Sequence, residues 1–522
     1  MMSDVVDRTE ASNSRGRVLM LVHNGVRGDS RVQKQARSAA EHGWNVQLLG
    51  RSLDGKPESW AVGDVDVRLI GVPMFMGRRR YEFRRALLRE PFAYPAGRLV
   101  GHRKQQVKAW RAELVMRRAI IQTRSASGDL SLLQARVHRI RLLPSRAGAK
   151  VFGRWVEFRR QRTRALQRKR LTMASPIDRF TTAFWQTTMG VRAWRKLDPN
   201  IWDYELAFGK VIDKMKPDII HANDFRMLAI GARAALRARA KGRDVKLVWD
   251  AHEFLPGMRP WNAHPRWHTA QRMLEKEFAP YADAVITVSE TLADMLIEEH
   301  VLTDRPAVVL NSPYAVAPEA NGPLPTIREV TGLGEDDKLV VYSGGVAPQR
   351  GLDVMIEGLP QLDGVHAAFI VPEPDGPAVA GLKERAEELG VNDRVHFLPY
   401  VAFDQVAPFL STADAGVIPI LHYPNHEIAL ITKFFEYSHA RLPIVVSDVK
   451  TMSEKVRETG QGEVFVAEDL EDFVRAVKAV LADPDRYRAA YDKPGLLAGW
   501  TWESQADILD EVYGKLKPRP SN

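Results

Sequence analysis

Short apolar segments alternate with helix-patterned stretches twice along this chain, and the alternation is broken once. Val18–Val22, Val46–Leu49, Arg68–Ile70, Ile219–His221, Lys246–Trp249, Ala284–Val288 and Val308–Leu310 have the look of buried strands. A second series runs through Leu339–Tyr342, Ala367–Ile370, Val395–Phe397, Ala415–Ile420, Ile444–Val446 and Val464–Val466. Between the two lies YAVAPEANGPLP, a concentration of Pro, Ala, Asn and Gly that predicts a linker at 313–325. The βα rhythm predicts an α/β chain of two doubly wound, Rossmann-like domains facing across a cleft, with ligands at the C-terminal ends of the strands. The expected divisions are a polar leader at 1–16, a first domain at 17–312, a second at 326–490 and a C-terminal segment at 491–522. In that segment Ile508, Leu509, Val512 and Leu516 have helical spacing. The expectation is a helix packing back toward the first domain, with a terminal helix on the second domain as the alternative.

Composition excludes several classes. The 522 residues contain no Cys, which removes disulfides and thiolate catalysis and leaves any metal only carboxylate or imidazole ligands. No persuasive metal-ligand cluster is legible. The leader carries acidic residues and lacks an apolar run, and no later stretch reaches the roughly 18 apolar residues needed to span a bilayer. A cytoplasmic protein, peripheral at most on the inner membrane face, is expected.

One region departs from the rhythm, a mainly helical insertion in the first domain at about 78–202. From Arg98 to Arg170 there are 21 Lys or Arg against 3 Asp or Glu, whereas the full chain is only +10. The remainder is therefore net acidic, and the basic character belongs to the insertion. Phe152, Trp155 and Phe158 lie among its arginines. Attachment to an anionic membrane surface and structural or homo-oligomeric packing both account for this pattern. A nucleic-acid backbone is the weakest account, because no recognised nucleic-acid module accompanies the charge.

Three loops carry residues suited to chemistry. After the first strand, Gly25 and Gly28 precede a helix from about Ser30 to His42, closed by Gly43; a phosphate-approaching loop and a ligand-free βα turn both fit. Ser343 to Gly351 lies between a strand and a helix. There Gly344 and Gly345 let backbone approach a phosphate, and Arg350 can hold its oxygens or pair with Asp353. Lys433 and Glu436, spaced i,i+3, share a helix face where an ammonium suits phosphate and a carboxylate suits ribose hydroxyls. A surface ion pair is the alternative. His252 follows the Lys246–Asp250 pattern and either faces a sugar or fixes its loop.

Taken together, HNGVRGDSRVQKQARSAAEHGWNV at 23–46, DIIHANDF at 218–225, VWDAHEF at 248–254, YADAVITVSETLADML at 281–296, VYSGGVAPQRGLDVMIEGL at 341–359 and the Lys433/Glu436 segment resemble a retaining glycosyltransferase of the GT-B superfamily, family 4. The resemblance covers roughly Arg17–Gly77 and Asp203–Leu516 and leaves the basic region unassigned. It implies metal-independent transfer of a sugar from a nucleotide donor, UDP- or GDP-sugar, to a glycan, glycolipid or small-molecule acceptor, with no cofactor. It implies donor binding by Gly28, Gly344, Gly345, Arg350, Lys433 and Glu436, and catalytic roles for His252, Arg350 and Lys433. Asp29, Arg31 and Lys34 come close behind the first loop, and Arg31 is expected either at the cleft or joining the two domains. Two departures stand out. Val346 occupies a position that is often basic, and Glu427 lies one residue early for the usual two-glutamate spacing, so His426, Glu427 and the amides of Ala429 to Ile431 become secondary candidates. A non-hydrolysing nucleotide-sugar epimerase and a non-catalytic membrane or nucleic-acid binder are the rival functions.

Overall fold

The computed structural model describes residues 14–74, 76, 90–95, 99–172, 175–198, 200–258, 265–315, 325–402 and 405–518. Most of the leader and residues 316–324 of the linker thus lie outside the described residues. The chain divides into two compact units. One comprises 1–73, 201–259 and 271–522 and carries all the sheet; the other comprises 74–200 and 260–270 and is helical.

The first sheet contains β1 (Arg17–Leu21), β2 (Asn45–Ser52), β3 (Glu58–Val62), β4 (Val65–Gly71), β5 (Ile219–Asn223), β6 (Lys246–Asp250), β7 (Ala284–Thr287) and β8 (Ala307–Val308), ordered β3-β4-β2-β1-β5-β6-β7-β8. Every pairing is parallel except the β3–β4 hairpin. The apolar strand patterns of the sequence do not include β3. It is an edge strand of exposed and half-buried residues, and its main signal is the two-residue Gly63-Asp64 turn, where Gly63 takes φ 58°.

The second sheet contains β9 (Lys338–Ser343), β10 (Val365–Val371), β11 (Val395–Pro399), β12 (Ala415–Ile418), β13 (Ile444–Ser447) and β14 (Gly462–Phe465), ordered β11-β10-β9-β12-β13-β14 and all parallel. In each sheet the order reverses beside the first strand, at β1/β5 and at β9/β12. A crevice opens at such a reversal, because successive crossovers leave on opposite faces.

Both faces of the second sheet are covered. Along β9, Val340 and Tyr342 enter one core with Phe369, Phe465 and Phe473, while Leu339 and Val341 enter another with Phe434, Phe435 and Leu442. This two-sided burial is why the strands read as continuous apolar runs. In the first sheet Val18, Met20, Val46, Leu48 and Ile286 share a core with Trp502, Leu509 and Tyr513 of the Trp502–Leu516 helix. Tyr513 also places its hydroxyl 2.6 Å from Nδ1 of the buried His221.

In the helical unit, Leu99–Ala126 and Leu143–Thr172 run antiparallel: Trp110 meets Ser145 and Phe152, and Val107 lies against Gly153. Phe92, Trp155 and Phe158 form a ring cluster with centroids 5.7–6.0 Å apart. The aromatic residues noted in the sequence therefore pack on one another, although Trp155 keeps substantial exposure. No helix among the described residues is long and apolar enough to cross a membrane.

Candidate active site

A cleft of about 770 Å³ lies where the C-terminal ends of the two sheets meet. Its second-sheet wall begins at the end of β9. Gly344 has φ +149°, and a Cβ there would sit 2.6 Å from Nζ of Lys433 and 3.0 Å from the Tyr342 hydroxyl. Glycine is required by backbone conformation and by space. The loop is held by Gly344 N–H donating to Ile370 O (2.9 Å) and Tyr342 Oη donating to Gly345 O (2.9 Å). Gly351 has φ 64°, and a Cβ would lie 2.1 Å from the Pro419 carbonyl, so the loop closes against the end of β12. Arg350, in the Pro348–Arg350 turn just before it, lines the cleft and forms no ion pair with Asp353. The side chain of Val346 packs against the sheet core.

Lys433 stands in the first turn of the Thr432–His439 helix, 8% exposed, with its ammonium 4.0 Å from the Tyr342 ring centroid. Burial, reinforced by Arg350, holds its pKa well below the usual lysine value. Glu436, one turn on, lines the same cleft. Burial raises its carboxyl to about 7, against the pull of Lys34 and Lys433. Ala429, Leu430 and Ile431 line the cleft as well, whereas His426 and Glu427 do not. The imidazole of His426 is tied to Leu421 O at 2.7 Å, and Glu427 is occupied by His422 and the Lys450 amide. Ser289 Oγ donates to Ile428 O (2.6 Å) and Asn311 donates to Thr432 Oγ1 (2.8 Å), which joins this helix start to elements of the first domain.

The opposite wall is formed by residues 27–31, Gln33 and His252. Gly28 is exposed there, but neither it nor Gly25 has positive φ; the left-handed residue is Val26 (φ 67°). Asn24 maintains that strain by accepting from Val26 N–H (2.8 Å) and donating to Asp29 (2.7 Å). Asp29 caps the Ser30–Glu41 helix. Arg31 lines the cleft, but its guanidinium is committed within the first domain: Nε and Nη2 bond Asp250 (2.8 and 3.0 Å) and Nη1 bonds Val309 O (2.8 Å). Lys34 is buried, donates to Ser312 O and lies over Trp502, with burial lowering it to about 7. Asp250 also accepts from Gln35 (2.7 Å). His252 Nδ1 is 3.7 Å from the same carboxylate. Burial opposes charge on His252, but Asp250 and Asp224 overcome it and raise the imidazole to about 9.

Two residues not singled out from sequence, His23 and Asp224, interact with His252, and a third, Arg226, holds them. His23 lies two residues after β1 and Asp224 directly after β5, the strands at the reversal, and the two are 3.1 Å apart; Arg226 donates to His23 Nε2 (2.9 Å). Burial lowers His23 to about 3 and raises Asp224 to about 6. Asp224 has φ 69°, a strained conformation at a strand end. Position after a switch-point strand was the available signal. Among the described residues no group of three His, Asp or Glu is arranged to hold a metal ion.

The cleft thus places two cations and a carboxylate on one wall and an imidazolium with an acidic network on the other. Two six- and eight-stranded doubly wound sheets meeting at their strand ends define the GT-B fold. Family models agree in chain order: "Glycosyltransferase Family 4" matches residues 133–312 and "Glycosyl transferases group 1" matches 325–494. The chain belongs to these glycosyltransferases. The first match extends into the basic region, which had no sequence resemblance of its own. A D-inositol 3-phosphate glycosyltransferase of Mycobacteroides abscessus is 24% identical over 296 residues, covering 51% of this chain and 65% of the relative. In fold the chain is similar to sucrose-phosphate synthase from Thermosynechococcus elongatus (TM-score 0.56, 14% identity, 96% of this chain and 99% of that one). It is also similar to an Escherichia coli structure described as trehalose-6-phosphate bound with UDP-2-fluoro glucose (TM-score 0.51, 13% identity, 96% and 99%).

Proposed function

We propose that this protein transfers a sugar from a nucleotide-sugar donor to an acceptor hydroxyl with retention of anomeric configuration and without a metal ion. The observation that carries the reading is the buried approach of Lys433 to the Gly344 loop, beside Arg350 and with no carboxylate in ion-pair contact with it among the described residues. A diphosphate at that loop would give both cations the anionic partner they lack. Glu436, one turn along the same helix, would then accept hydrogen bonds from the ribose, and Gly28 and Gly345 would leave room at the two rims of the cleft.

In the proposed reaction the acceptor oxygen bonds to the anomeric carbon on the face from which the diphosphate departs. The bond from anomeric carbon to phosphate oxygen breaks, and the leaving phosphate takes the acceptor proton. Arg350 and Lys433 stabilise the charge developing on that phosphate. His252, held cationic by Asp250 and Asp224, positions the sugar and stabilises charge rather than acting as a base.

The neighbour solved with UDP-2-fluoro glucose supports a UDP-sugar as the first donor to try, with GDP-sugars next. The excess of basic residues over 98–170 supports an acceptor carried at an anionic membrane surface. A screen of UDP- and GDP-sugars in chelator, with mass and anomeric analysis of products, tests the proposal. Retained anomeric configuration is expected, and an inverted product or strict dependence on a divalent ion would overturn it.

A further inference from the structure

Between the helices of the basic unit lies an open pocket of about 420 Å³ lined by Arg111, Arg118, Arg139, Arg146 and Lys150, with Leu114, Val115, Leu142 and Ala149 as its apolar part. The cations come from three helices: Leu99–Ala126, Leu132–Arg141 and Leu143–Thr172. Arg111, Leu114, Val115 and Arg118 recur at the spacing of one helix face, and Arg146 and Lys150 are a like-charged i,i+4 pair, an arrangement that by itself destabilises a helix. None of the five side chains has a hydrogen-bond or ion-pair partner among the described residues. The three acids of 98–170 are engaged elsewhere: Glu113 with Arg117, Asp129 with Ser127 and Glu157 with Arg160. The same three helices carry large apolar side chains in the open, including Val115 of the pocket lining (70% exposed), Leu132 (85%), Leu133 (77%) and Val151 (66%).

We infer that this pocket binds the phosphate headgroup of an anionic lipid while the exposed apolar residues enter the acyl boundary. The inference deepens the proposed transfer to a membrane-borne acceptor and rests on that reading. Cations alone would suit any polyphosphate. It is their combination with exposed leucine and valine that favours a lipid, because an aqueous polyanion offers those side chains nothing to enter.

The test is sedimentation of the full chain with phosphatidylcholine vesicles containing phosphatidylglycerol or phosphatidic acid, over a salt series. Arg118→Glu/Arg146→Glu reverses two pocket cations, and Lys104→Glu/Arg124→Glu reverses two outside it; thermal melting establishes that both are folded. The expected result is that the pocket pair weakens vesicle binding about tenfold or more while the outside pair weakens it less than about threefold. Equal losses would mean diffuse charge and overturn the pocket. Absent vesicle binding, with concentration-dependent self-association, would also overturn it. Phosphate binding by calorimetry that responds to the pocket pair without any vesicle binding would assign a soluble phosphate instead, and tighter binding to duplex RNA than to vesicles at matched salt would assign nucleic acid. UDP and GDP affinity, measured on the same samples, separates failure of this inference from failure of the transferase reading.

Discussion

Replacing Lys433 with Met removes an ammonium while keeping most of the stem that fills its site, so it separates charge from packing. In the wild-type protein the ammonium is buried beside Arg350, with the Tyr342 ring beneath it. Its lowered pKa means that between the folded value and the ordinary 10.5 the unfolded chain binds more protons. Over that window stability rises with pH, and below it the buried charge is a net burden on the fold. The ring contact offsets part of that burden, by about 0.5–2 kcal/mol. Lys433→Met should therefore keep or raise the thermal midpoint at neutral pH, and its advantage over wild type should narrow as pH approaches 10.5. Donor binding should move the other way. A lost hydrogen bond to a charged group is worth about 1.5–3 kcal/mol, which corresponds to about 10- to 140-fold in Kd. Calorimetry with UDP, GDP and their sugars reads that loss. A folded variant with nucleotide affinity within about threefold of wild type would refute the reasoning.

Gly344→Ala should lower stability by about 1–3 kcal/mol, since the backbone there is one that side chains resist, and weaken nucleotide binding at least as much as Lys433→Met, because the added Cβ meets Nζ at 2.6 Å; melting and calorimetry on one sample check both. Glu436, raised to about 7, is more fully protonated when folded, so its contribution to stability is present below the ordinary value of 4.5 and is lost as pH rises through 7. If its ionised form accepts the ribose, donor affinity should climb through that same range, and Glu436→Gln should flatten the climb in a pH series of Kd. Asp250→Asn leaves Arg31 buried without its counter-charge, a loss of about 3–5 kcal/mol; it should also lower the His252 pKa, read from its imidazole NMR signals.

The second wall of the site was more legible than the first, and the reason is sequence distance. Gly344, Gly345 and Arg350 lie in one loop, and Lys433 and Glu436 share one helix face, so local spacing is enough to group them. On the first wall the organising contact is Arg31 with Asp250, separated by 219 residues, and no periodicity reports such a pair. The same holds for Lys34 against Ser312 and for Gly351 against Pro419. Glycine was also a misleading marker in the first loop. The strained backbone falls on Val26 because Asn24 and Asp29 bond it in place, a device visible only in three dimensions. Parallel strands buried on both faces announced themselves as apolar runs, whereas β3, an edge strand with half-buried alternation, did not.

The shifts in the cleft lean in one direction and bear on which ligands bind well. Burial lowers the pKa of Lys433 and Lys34 and raises that of Glu436, so in the empty site it opposes both the cation a phosphate needs and the carboxylate a ribose needs. A phosphate arriving at the Gly344 loop would favour the ammonium form of Lys433. That ammonium in turn favours ionised Glu436, since Lys433 already lowers that carboxyl. Phosphate recognition and ribose recognition are then coupled through the helix that carries both residues. The coupling makes a nucleoside diphosphate bind more tightly than its parts predict. In calorimetry near neutral pH, pyrophosphate should raise the affinity for the free nucleoside, and the gain should vanish in Lys433→Met and shrink as pH rises above the range in which Glu436 titrates. Independent binding of nucleoside and pyrophosphate in wild type would show that the two groups titrate without reference to each other, and the coupling would have to be abandoned.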